Sequence, residues 1–363
     1  MKGINIQRAP AEAVYGPELE QLAKLDAGPV PPGWKLSPLA VEKFILGDAE
    51  LGIDKKFVAP QELVTRIVIS IATNRGAMLI GPPGTAKSWL SELLAAAISG
   101  CSTLTIHGGA ITDTRQLLYS WNEALLKSTG PSKEALIPGA IYRGMASGQL
   151  VRFEEIARCP PFIQDAILSI MSERQIQIPE LEGEDSVLFA RQGFNIIATS
   201  NSLDKGVHEM SAALKRRMNF ETIYPIRDIR DEMDVVARES EKLIRESGVD
   251  VKPDLATIEA MVTIFHELRN GQTLDGRSTD RLAATVMSTA EAVSVAHAMG
   301  VHAYYYRDGA MNPDDLVHFL IGAALKDNKE DQRRMGHYFD TEVANKKGEH
   351  WRRVHAQRHL LKS

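Results

Sequence analysis

The chain has 363 residues, of which 44% are hydrophobic and 25% charged, a composition typical of a globular protein with two or three domains. Its net charge of -5 gives no general electrostatic reason to bind nucleic acid, and no apolar run approaches the ~18 residues of a membrane span. Two cysteines imply no disulfide framework and the N-terminus lacks the apolar core of a signal peptide, so we expect a cytoplasmic protein.

The first 56 residues show no regular apolar pattern, and we predict that 1–56 is an irregular N-terminal extension. Its segment 28–38, GPVPPGWKLSP, contains four prolines and is typical of an extended connector. A helical pattern starts after Pro60, with apolar residues spaced along one face: Leu63, Val64, Ile67, Val68 and Ile71.

Short apolar runs then alternate with helical segments as far as Pro225. A helix is predicted at 88–99, and this alternation favours an α/β fold with a parallel sheet covered by helices on both faces. The predicted strands are Ala77–Ile80, Thr103–His107, Leu150–Phe153, Phe194–Thr199 and Phe220–Tyr224.

After Pro225 the strand pattern stops, which predicts a second, all-helical domain. Asn312 and Pro313 are a suitable N-cap and first helical residue for its last helix. The predicted helices lie at about 226–247, 253–269, 278–299 and 313–325.

The C-terminal tail, 331–363, is basic. Residues 345–363 contain six Lys or Arg residues against one acid, Glu349. A solvated basic helix is the plainer interpretation, and a weak contact with nucleic acid or an acidic partner is the alternative.

The sequence GPPGTAKS lies between a predicted strand and a predicted helix, which is the context that a phosphate-binding P-loop requires. Loop N–H groups and the helix N-terminus attract phosphate, Lys87 supplies a charge for the β- and γ-phosphates, and the Ser88 hydroxyl is a magnesium ligand. Ala86 stands where the motif has glycine, and we expect near-helical backbone angles to make its methyl group tolerable. The residues predicted to bind ATP are Gly81, Pro82, Pro83, Gly84, Thr85, Ala86, Lys87 and Ser88.

Two adjacent acids, Glu154 and Glu155, follow the predicted strand at 150–153. With a P-loop present, we interpret them as the acidic pair of a P-loop ATPase. We predict that Glu154 and Ser88 hold the magnesium ion, and that Glu155 is the general base that polarises the attacking water. The strand that carries them is expected to lie beside the P-loop strand. The usual first acid is aspartate, which is one methylene shorter.

The segment that follows, IARCPPFIQDAILSIMSERQIQIPEL, resembles the corresponding part of MoxR-type AAA+ ATPases, in which a helix started by proline ends in Glu-Arg-Gln before a β-hairpin. Within that family the chain is most similar to the YehL-type group, which shares the Ala-Lys-Ser/Thr loop ending and the Glu-Glu pair. The resemblance covers about 35–327. It implies an AAA+ P-loop core at 57–225 and a helical lid at 226–330.

The resemblance also implies roles for single residues. Asn201, at the end of FNIIATSN, matches sensor 1, whose amide contacts the γ-phosphate and the attacking water. Arg217, in SAALKRRMNFE, matches the arginine finger, although Arg216 precedes it and the choice between them stays open. In GRSTDRLAAT, Ser278 is the expected N-cap of a lid helix, and Arg281 in its first turn matches the sensor-2 arginine.

Two insertions resemble elements that face the central pore of ring-shaped relatives. One, 107–143, is similar to a helix-2 insert, and the other, 175–192, to the hairpin before sensor 1. Tyr119 and Trp121 in the first insertion could contact a client, but local packing is the plainer interpretation.

Taken together, the resemblance implies an ATPase that binds ATP and Mg²⁺ between the subunits of a homo-oligomeric ring, expected to be a hexamer. It also implies a chaperone-like role in remodelling or maturing a client, often a von Willebrand factor A-type (VWA) protein. Two alternatives stay open. The basic tail favours a nucleic-acid-stimulated motor, although the negative net charge argues against it. Glu154 in place of aspartate favours a scaffold that binds ATP without hydrolysing it.

Overall fold

The structure is a computed structural model that describes residues 7–201, 208–282, 287–326 and 328–362. It divides into two compact units. The described residues up to Gly81, together with Lys87–Ile223, form the first unit, and the loop 82–86 with the described residues from Tyr224 onward forms the second. No helix in these described ranges is long and apolar enough to cross a membrane.

The first unit alternates helices and strands, and each of the five predicted strands is present within two residues of its predicted bounds. Its elements in chain order are α1 (Ala11–Val14), α2 (Gly16–Leu25), α3 (Pro38–Leu46), α4 (Gln61–Ala72), β1 (Gly76–Gly81), α5 (Lys87–Ser99), β2 (Thr105–His107), β3 (Tyr119–Trp121), α6 (Glu123–Thr129), β4 (Leu136–Pro138), α7 (Ala140–Ser147), β5 (Leu150–Glu154), α8 (Pro161–Glu173), β6 (Gln175–Gln177), β7 (Val187–Phe189), β8 (Asn195–Asn201), α9 (Ala212–Lys215) and β9 (Met218–Thr222).

Five of these strands form one sheet in the order β2-β5-β8-β1-β9. Every neighbouring pair is parallel, as predicted. The expectation that the acid-bearing strand lies beside the P-loop strand is wrong, because β8 is inserted between β5 and β1. Within this sheet, β8 is the next strand after β5 along the chain, and it lies in the middle, between β5 and β1. No local feature of the sequence specifies this position of β8.

The sheet is covered on both faces because its strands bury side chains alternately on either side. Along β1, Ala77 and Leu79 join a core built mainly from the N-terminal helices and α5. Met78, between them, joins a second core with residues of α7 and α8. The three-layer αβα arrangement predicted from the sequence is therefore confirmed.

The prediction that residues 1–56 are irregular is wrong, because α1, α2 and α3 lie within them. Ser37 caps α3 through its side chain, and Pro38 occupies the first turn. The apolar side chains of α3 repeat at helical spacing and are buried in the first core: Val41, Phe44 and Ile45. The segment 28–37 has no helix or strand, in agreement with the predicted connector.

Two small antiparallel pairs are attached to the main sheet's unit. Strands β3 and β4 enclose α6 within the predicted helix-2 insert. Strands β6 and β7 form the hairpin expected before sensor 1. Both predicted insertions are therefore ordered elements with their own strand pairing.

The described part of the second unit is helical apart from an isolated bridge between Gln272 and Ser278. The fourth predicted helix begins as a short turn capped by Asn312, as expected. The third begins at Thr289 and not near 278, and residues 283–286 of that prediction lie outside the described residues. The elements are α10 (Ile229–Glu246), α11 (Leu255–Asn270), α12 (Thr289–Tyr306), α13 (Leu316–Leu320), α14 (Lys329–Thr341) and α15 (Glu349–Ala356).

The basic tail is part of the second unit's core, so its interpretation as a solvated helix is wrong. Met335 and Phe339 of α14 and Trp351 and Val354 of α15 are buried in the same apolar cluster as α10–α12. The i, i+3 spacing of the two α15 residues gives that helix one apolar face, which the density of basic residues obscures in the sequence.

Several tail cations are also neutralised within the unit. Lys346 is paired with the buried Glu267 at 2.8 Å, and Arg353 is paired with Asp314 at 2.8 Å. These ion pairs leave less free positive charge than the sequence suggests, and they weaken the case for a nucleic-acid contact by the tail.

We predict that Trp351→Ala destabilises the protein by about 3–5 kcal/mol, because it removes a large side chain from a packed core. Thermal unfolding followed by circular dichroism measures the change. The neighbouring Arg352 is exposed, so Arg352→Ala is the matched control and should stay within about 0.5 kcal/mol of wild type. Equal melting of the two variants would show that the tail does not belong to the core.

Candidate functional site

The loop between β1 and α5 has a backbone shape that requires small residues. A Cβ atom on Gly81 would lie 2.2 Å from the Ile223 carbonyl oxygen. Gly84 and Ala86 have φ angles of 76° and 60°, in the left-handed region that favours glycine. The expectation of near-helical angles at Ala86 is therefore wrong, and its methyl group costs roughly 1–2 kcal/mol relative to glycine.

Lysine and threonine side chains close this loop on itself. The buried Lys87 ammonium donates a hydrogen bond to the Gly81 carbonyl at 3.0 Å, across the base of the loop. The Thr85 hydroxyl donates to the Pro82 carbonyl at 2.9 Å. Since Lys87 is also the first residue of α5, its charge adds to the positive end of that helix, and the two together favour a bound phosphate.

Glu154, the last residue of β5, is buried and accepts hydrogen bonds on both carboxylate oxygens. Its Oε2 accepts from the hydroxyls of Ser88 at 2.6 Å and Thr199 at 2.7 Å. Its Oε1 accepts from the Ser91 hydroxyl at 2.7 Å and the Arg152 guanidinium at 3.0 Å. The predicted P-loop serine and the predicted metal-side acid are thus in direct contact.

Burial alone would raise the pKa of the Glu154 carboxyl. The hydrogen bonds from Ser88, Ser91 and Thr199, and the charge of Arg152, outweigh burial and hold this pKa below its usual value. Glu154 is therefore ionised at neutral pH. An ionised carboxylate beside a serine hydroxyl is the hard-oxygen donor set that Mg²⁺ prefers, so these residues fit a magnesium ion.

Glu155 has a left-handed backbone, with φ 55° and ψ 47°, which turns its side chain away from the buried position of Glu154. Its N–H donates to the Thr199 hydroxyl at 3.1 Å. Its Oε2 is ion-paired with the Arg158 guanidinium at 2.8 Å, and both side chains are nearly half exposed. A non-glycine residue in this backbone region is uncommon and is typical of functional sites.

Asn201, at the end of β8, lies beside the predicted base. Its side-chain amide nitrogen is 3.5 Å from Oε1 of Glu155. Residue Gly81 of β1 is paired in register with Asn201, so the sensor-1 position is directly adjacent to the strand that leads into the P-loop. Parallel strands thus bring Ser88, Glu154, Glu155 and Asn201 to the same carboxyl edge of the sheet, as their sequence motifs predict.

Sequence reasoning missed four residues of this site: Ser91, Arg152, Arg158 and Thr199. For two of them, Ser91 and Arg152, the position in the sequence could have indicated the contact with the site. Ser91 follows Ser88 by three positions on α5, and Arg152 precedes Glu154 by two positions on β5, so each lies on the same face as its partner. Thr199 could not be found in this way, because it becomes a neighbour only through the pairing of β8 with β5.

Arg216 and Arg217 lie at the opposite, amino edge of the sheet. The Arg217 carbonyl accepts a hydrogen bond from the N–H of Gly76, the first residue of β1, at 3.0 Å. Its guanidinium donates to the Ser172 hydroxyl at 3.2 Å. Because β1 has six residues, roughly 16 Å of strand at ~3.3 Å per residue separates these arginines from the P-loop of their own chain.

Arg281 is not in the first turn of a helix, so that expectation is wrong, and Ser278 is not a helix N-cap. The backbone around Ser278 is held instead by its bridge to Gln272. The Arg281 guanidinium donates to the Arg269 carbonyl at 3.2 Å. The N-cap of the next helix, α12, is Ser288. The sensor-2 role of Arg281 stays a prediction.

The two insertions are joined by the acidic tip of the β6–β7 hairpin. Glu180 accepts hydrogen bonds from the Tyr119 hydroxyl at 3.0 Å and from the Trp121 indole N–H at 3.4 Å. Burial, together with the nearby Glu180 carboxylate, raises the pKa of Tyr119 to about 12. Lys133 is ion-paired with Asp185 of the hairpin. Local packing of the two aromatic residues is therefore confirmed.

Known families match successive parts of the chain. Residues 76–218 match the AAA domain of the dynein-related subfamily, and residues 230–362 match the YehL-like AAA+ ATPase C-terminal domain. The chain is 50% identical to YehL of Escherichia coli (strain K12) over 358 residues, and this alignment covers 98% of each protein. The chain belongs to the YehL family of AAA+ ATPases. The predicted resemblance to this family is confirmed.

More distant relatives of this YehL-family chain include gas vesicle ATPases. It is 24% identical over 240 residues to GvpN of Haloferax mediterranei, which covers 60% of this chain and 66% of that protein. It is 25% identical over 204 residues to GvpN1 of Halobacterium salinarum, which covers 53% of this chain and 55% of that protein. These relatives carry the word ATPase in their names, and the AAA+ domain is one that binds nucleotide.

The left-handed angle at Ala86 generates a direct prediction. Ala86→Gly should raise the free energy of unfolding by about 1 kcal/mol, because glycine adopts this angle without strain. Ala95, in the middle of α5, is the matched control, and Ala95→Gly should lower it by a similar amount. Chemical denaturation measures both. A loss of stability in Ala86→Gly would show that the alanine methyl is favourable in this loop.

Proposed function

We propose that this chain hydrolyses ATP at the carboxyl edge of its sheet. The observation that supports this most directly is the contact of the P-loop serine, Ser88, with the ionised Glu154, and the placement of Glu155 and Asn201 beside it. Phosphoryl transfer to water requires a phosphate cradle, an acid on the metal side, a base and a polar group that orients water. Each of these has a residue in the described part of the first unit.

In the proposed reaction, the loop N–H groups and Lys87 bind the β- and γ-phosphates. Ser88 and Glu154 would hold Mg²⁺, which when bound neutralises charge that develops on the phosphates. Since both Glu154 oxygens already accept hydrogen bonds from neighbouring residues, its carboxylate is held in place before nucleotide arrives. This preorganisation is the form in which electrostatic stabilisation contributes most to rate.

Glu155 then accepts the proton of the attacking water as general base. Its Oε2 is engaged by Arg158, whereas its Oε1 faces the amide of Asn201. Because Oε2 is ion-paired with Arg158, we assign Oε1 as the oxygen that accepts the proton. Asn201 would orient the water and contact the γ-phosphate. These two roles require its side-chain amide to lie within hydrogen-bonding distance of the water and of the phosphate.

The same proposal includes a homo-oligomeric ring, with a hexamer as the expected form. The support is the position of Arg217, which lies at the amino edge and roughly 16 Å of strand away from its own P-loop, at ~3.3 Å per residue. An arginine at that distance completes an active site only when another copy presents its nucleotide. In this ring, residues 57–225 would act as the ATPase core, with Arg281 of the lid, 226–330, as the sensor-2 arginine.

We further propose that the ring remodels or matures a protein client in the cytoplasm, with a VWA-type protein as the class that the family resemblance suggests. The two joined insertions supply an acidic, partly exposed hairpin tip suited to a client contact. The nucleic-acid motor receives less support, since three of the six tail cations, Lys346, Arg353 and Arg358, are ion-paired within the chain.

Glu155→Gln should retain ATP binding and lose hydrolysis, because an amide is nearly isosteric with a carboxylate but is a far poorer proton acceptor. Binding is measured by calorimetry and hydrolysis by phosphate release. Glu154→Gln should instead raise the magnesium concentration needed for activity, and Glu154→Asp tests whether the shorter acid restores it. Normal turnover by Glu155→Gln together with loss in Glu154→Gln would reverse the two roles. Undetectable hydrolysis by the wild-type ring would favour the ATP-binding scaffold.

Arg217→Ala should leave ATP binding nearly unchanged and reduce hydrolysis steeply, since an arginine finger supplied in trans is worth ~10³–10⁵ in rate in related reactions. Lys87→Ala should abolish nucleotide binding. A mixture of the two variants should recover activity, because some interfaces then join an intact P-loop to an intact finger. Phosphate release across a range of mixing ratios is the measurement.

Arg216→Ala, tested in parallel, identifies which of the two arginines acts as the finger. Mixed assembly is verified by native mass spectrometry. The finger assignment fails if both arginine variants hydrolyse ATP like wild type. Its action in trans fails if verified mixed rings never exceed the sum of the separate variants.

A further inference from the structure

A cavity of about 370 Å³ opens at the amino edge of the sheet in the first unit. Three of its six lining residues are arginines and none is acidic. The lining residues are Asn74, Arg75, Met171, Ser172, Arg216 and Arg217. We call Arg75, Arg216 and Arg217 the amino-edge arginine cluster.

Strand register brings this cluster together. Gly76 of β1 is paired with Met218 of β9. Arg75 and Arg217 are the residues that precede this pair, and parallel neighbouring strands are ~4.8 Å apart. Arg75 and Arg217 therefore lie side by side, immediately before the first residues of β1 and β9, although 141 residues of chain lie between them.

The cluster is held by neutral groups. Arg75 donates to the Asn219 side-chain oxygen at 3.0 Å, and Asn219 in turn donates to the Ser70 hydroxyl at 3.0 Å. Arg217 donates to the Ser172 hydroxyl at 3.2 Å. No carboxylate in the described ranges of the chain forms an ion pair with any of the three arginines.

A nearby arginine shows the contrast. Arg66 of α4 donates two hydrogen bonds, each of 2.8 Å, to the carboxylate of Glu221. Glu221 is two positions beyond Asn219 on β9, so a carboxylate is available close to the cluster but is used by Arg66. The charge on Arg66 is neutralised by Glu221, whereas no carboxylate among the described residues is paired with Arg75.

The backbone beside Arg75 is also fixed. Arg174, which follows α8, donates to the Asn74 carbonyl at 2.5 Å and to the Phe194 carbonyl at 3.3 Å. Arg75 is thus positioned from both sides, by a side-chain partner and by an anchored preceding residue. Positioned, exposed and unneutralised guanidinium groups are the usual components of a phosphate site.

We propose that Arg75 acts with Arg216 and Arg217 as one phosphate-binding site, and that its ligand is the terminal phosphate of ATP held by a neighbouring copy of this chain. This inference rests on the proposed ATPase ring and adds Arg75 to its catalytic interface. The chain's own nucleotide is excluded as ligand, because the length of β1 separates the cluster from Lys87. Free phosphate is the competing source of the same chemistry.

Arg75→Gln tests the proposal, with Arg66→Gln as the matched control that removes a neutralised arginine from the same region. We expect Arg75→Gln to bind ATP within ~2-fold of wild type and to lose at least ~10-fold in kcat, with Arg75→Lys between the two, since lysine keeps the charge but not the planar fork. Arg66→Gln should keep wild-type kcat. Melting temperatures confirm that each variant is folded.

Mixing then locates the action of Arg75. Verified mixed rings of Arg75→Gln and Lys87→Ala should exceed the sum of the separate variants. Failure of this recovery would overturn action across the interface. Wild-type kcat in Arg75→Gln, with hydrolysis lost in Arg217→Ala, would remove Arg75 from the site and leave the proposed function intact. Wild-type kcat in Arg75→Gln, Arg216→Ala and Arg217→Ala alike would instead refute the finger itself.

A binding experiment separates the two phosphate sources. Inorganic phosphate is titrated into nucleotide-free Lys87→Ala protein, with and without Arg75→Gln, and binding is measured by calorimetry. We expect no saturable binding in either protein, because the cluster alone supplies only part of the site. Saturable binding that Arg75→Gln removes, combined with unchanged ATP hydrolysis, would assign the cluster to free phosphate and overturn the proposal.

Discussion

The buried carboxylate of Glu154 is the interaction on which the rest of the site depends. It joins α5 through Ser88 and Ser91, and it joins β8 through Thr199. A charge at this depth is stable only when donors surround it, and here the Arg152 guanidinium completes the set. This carboxylate therefore holds α5, β5 and β8 in one arrangement.

The polarity of the parallel sheet then separates the charged residues that the proposed reaction requires. Its carboxyl edge carries Lys87 and both acids, whereas its amino edge carries the arginine cluster. For the proposed reaction each edge is incomplete alone, since the arginines beside the acids, Arg152 and Arg158, are already paired with them, and no carboxylate in the described residues is ion-paired with the amino-edge arginine cluster. In the proposed ring a second copy of the chain would supply the missing half to each edge, so the sheet gives a physical argument for the ring in addition to the family resemblance.

Features with a local signal were predictable from the sequence. The strands follow from short apolar runs, and the P-loop and acidic pair follow from contiguous motifs. The insertion of β8 between β5 and β1 was not predictable, because strand pairing joins residues far apart in the chain. Thr199 was missed because it depends on the pairing of β8 with β5, and the placement of Arg75 beside Arg217 was missed because it depends on the pairing of β1 with β9. The left-handed angle at Ala86 was not predictable, because alanine disfavours this backbone region and so gives no local signal for it.

Helix α8 connects the two edges. It begins at Pro161, shortly after Glu155 and its partner Arg158, and ends at Glu173, next to the Ser172 hydroxyl that holds Arg217. Thirteen residues at ~1.5 Å each make it about 20 Å long. The chain then enters the β6–β7 hairpin directly. Because a packed helix is stiff along its axis, a displacement of that hairpin would reach Glu155, the proposed general base, and the arginine cluster through one element. In the proposed function, client contact and catalysis would thus be connected through one helix.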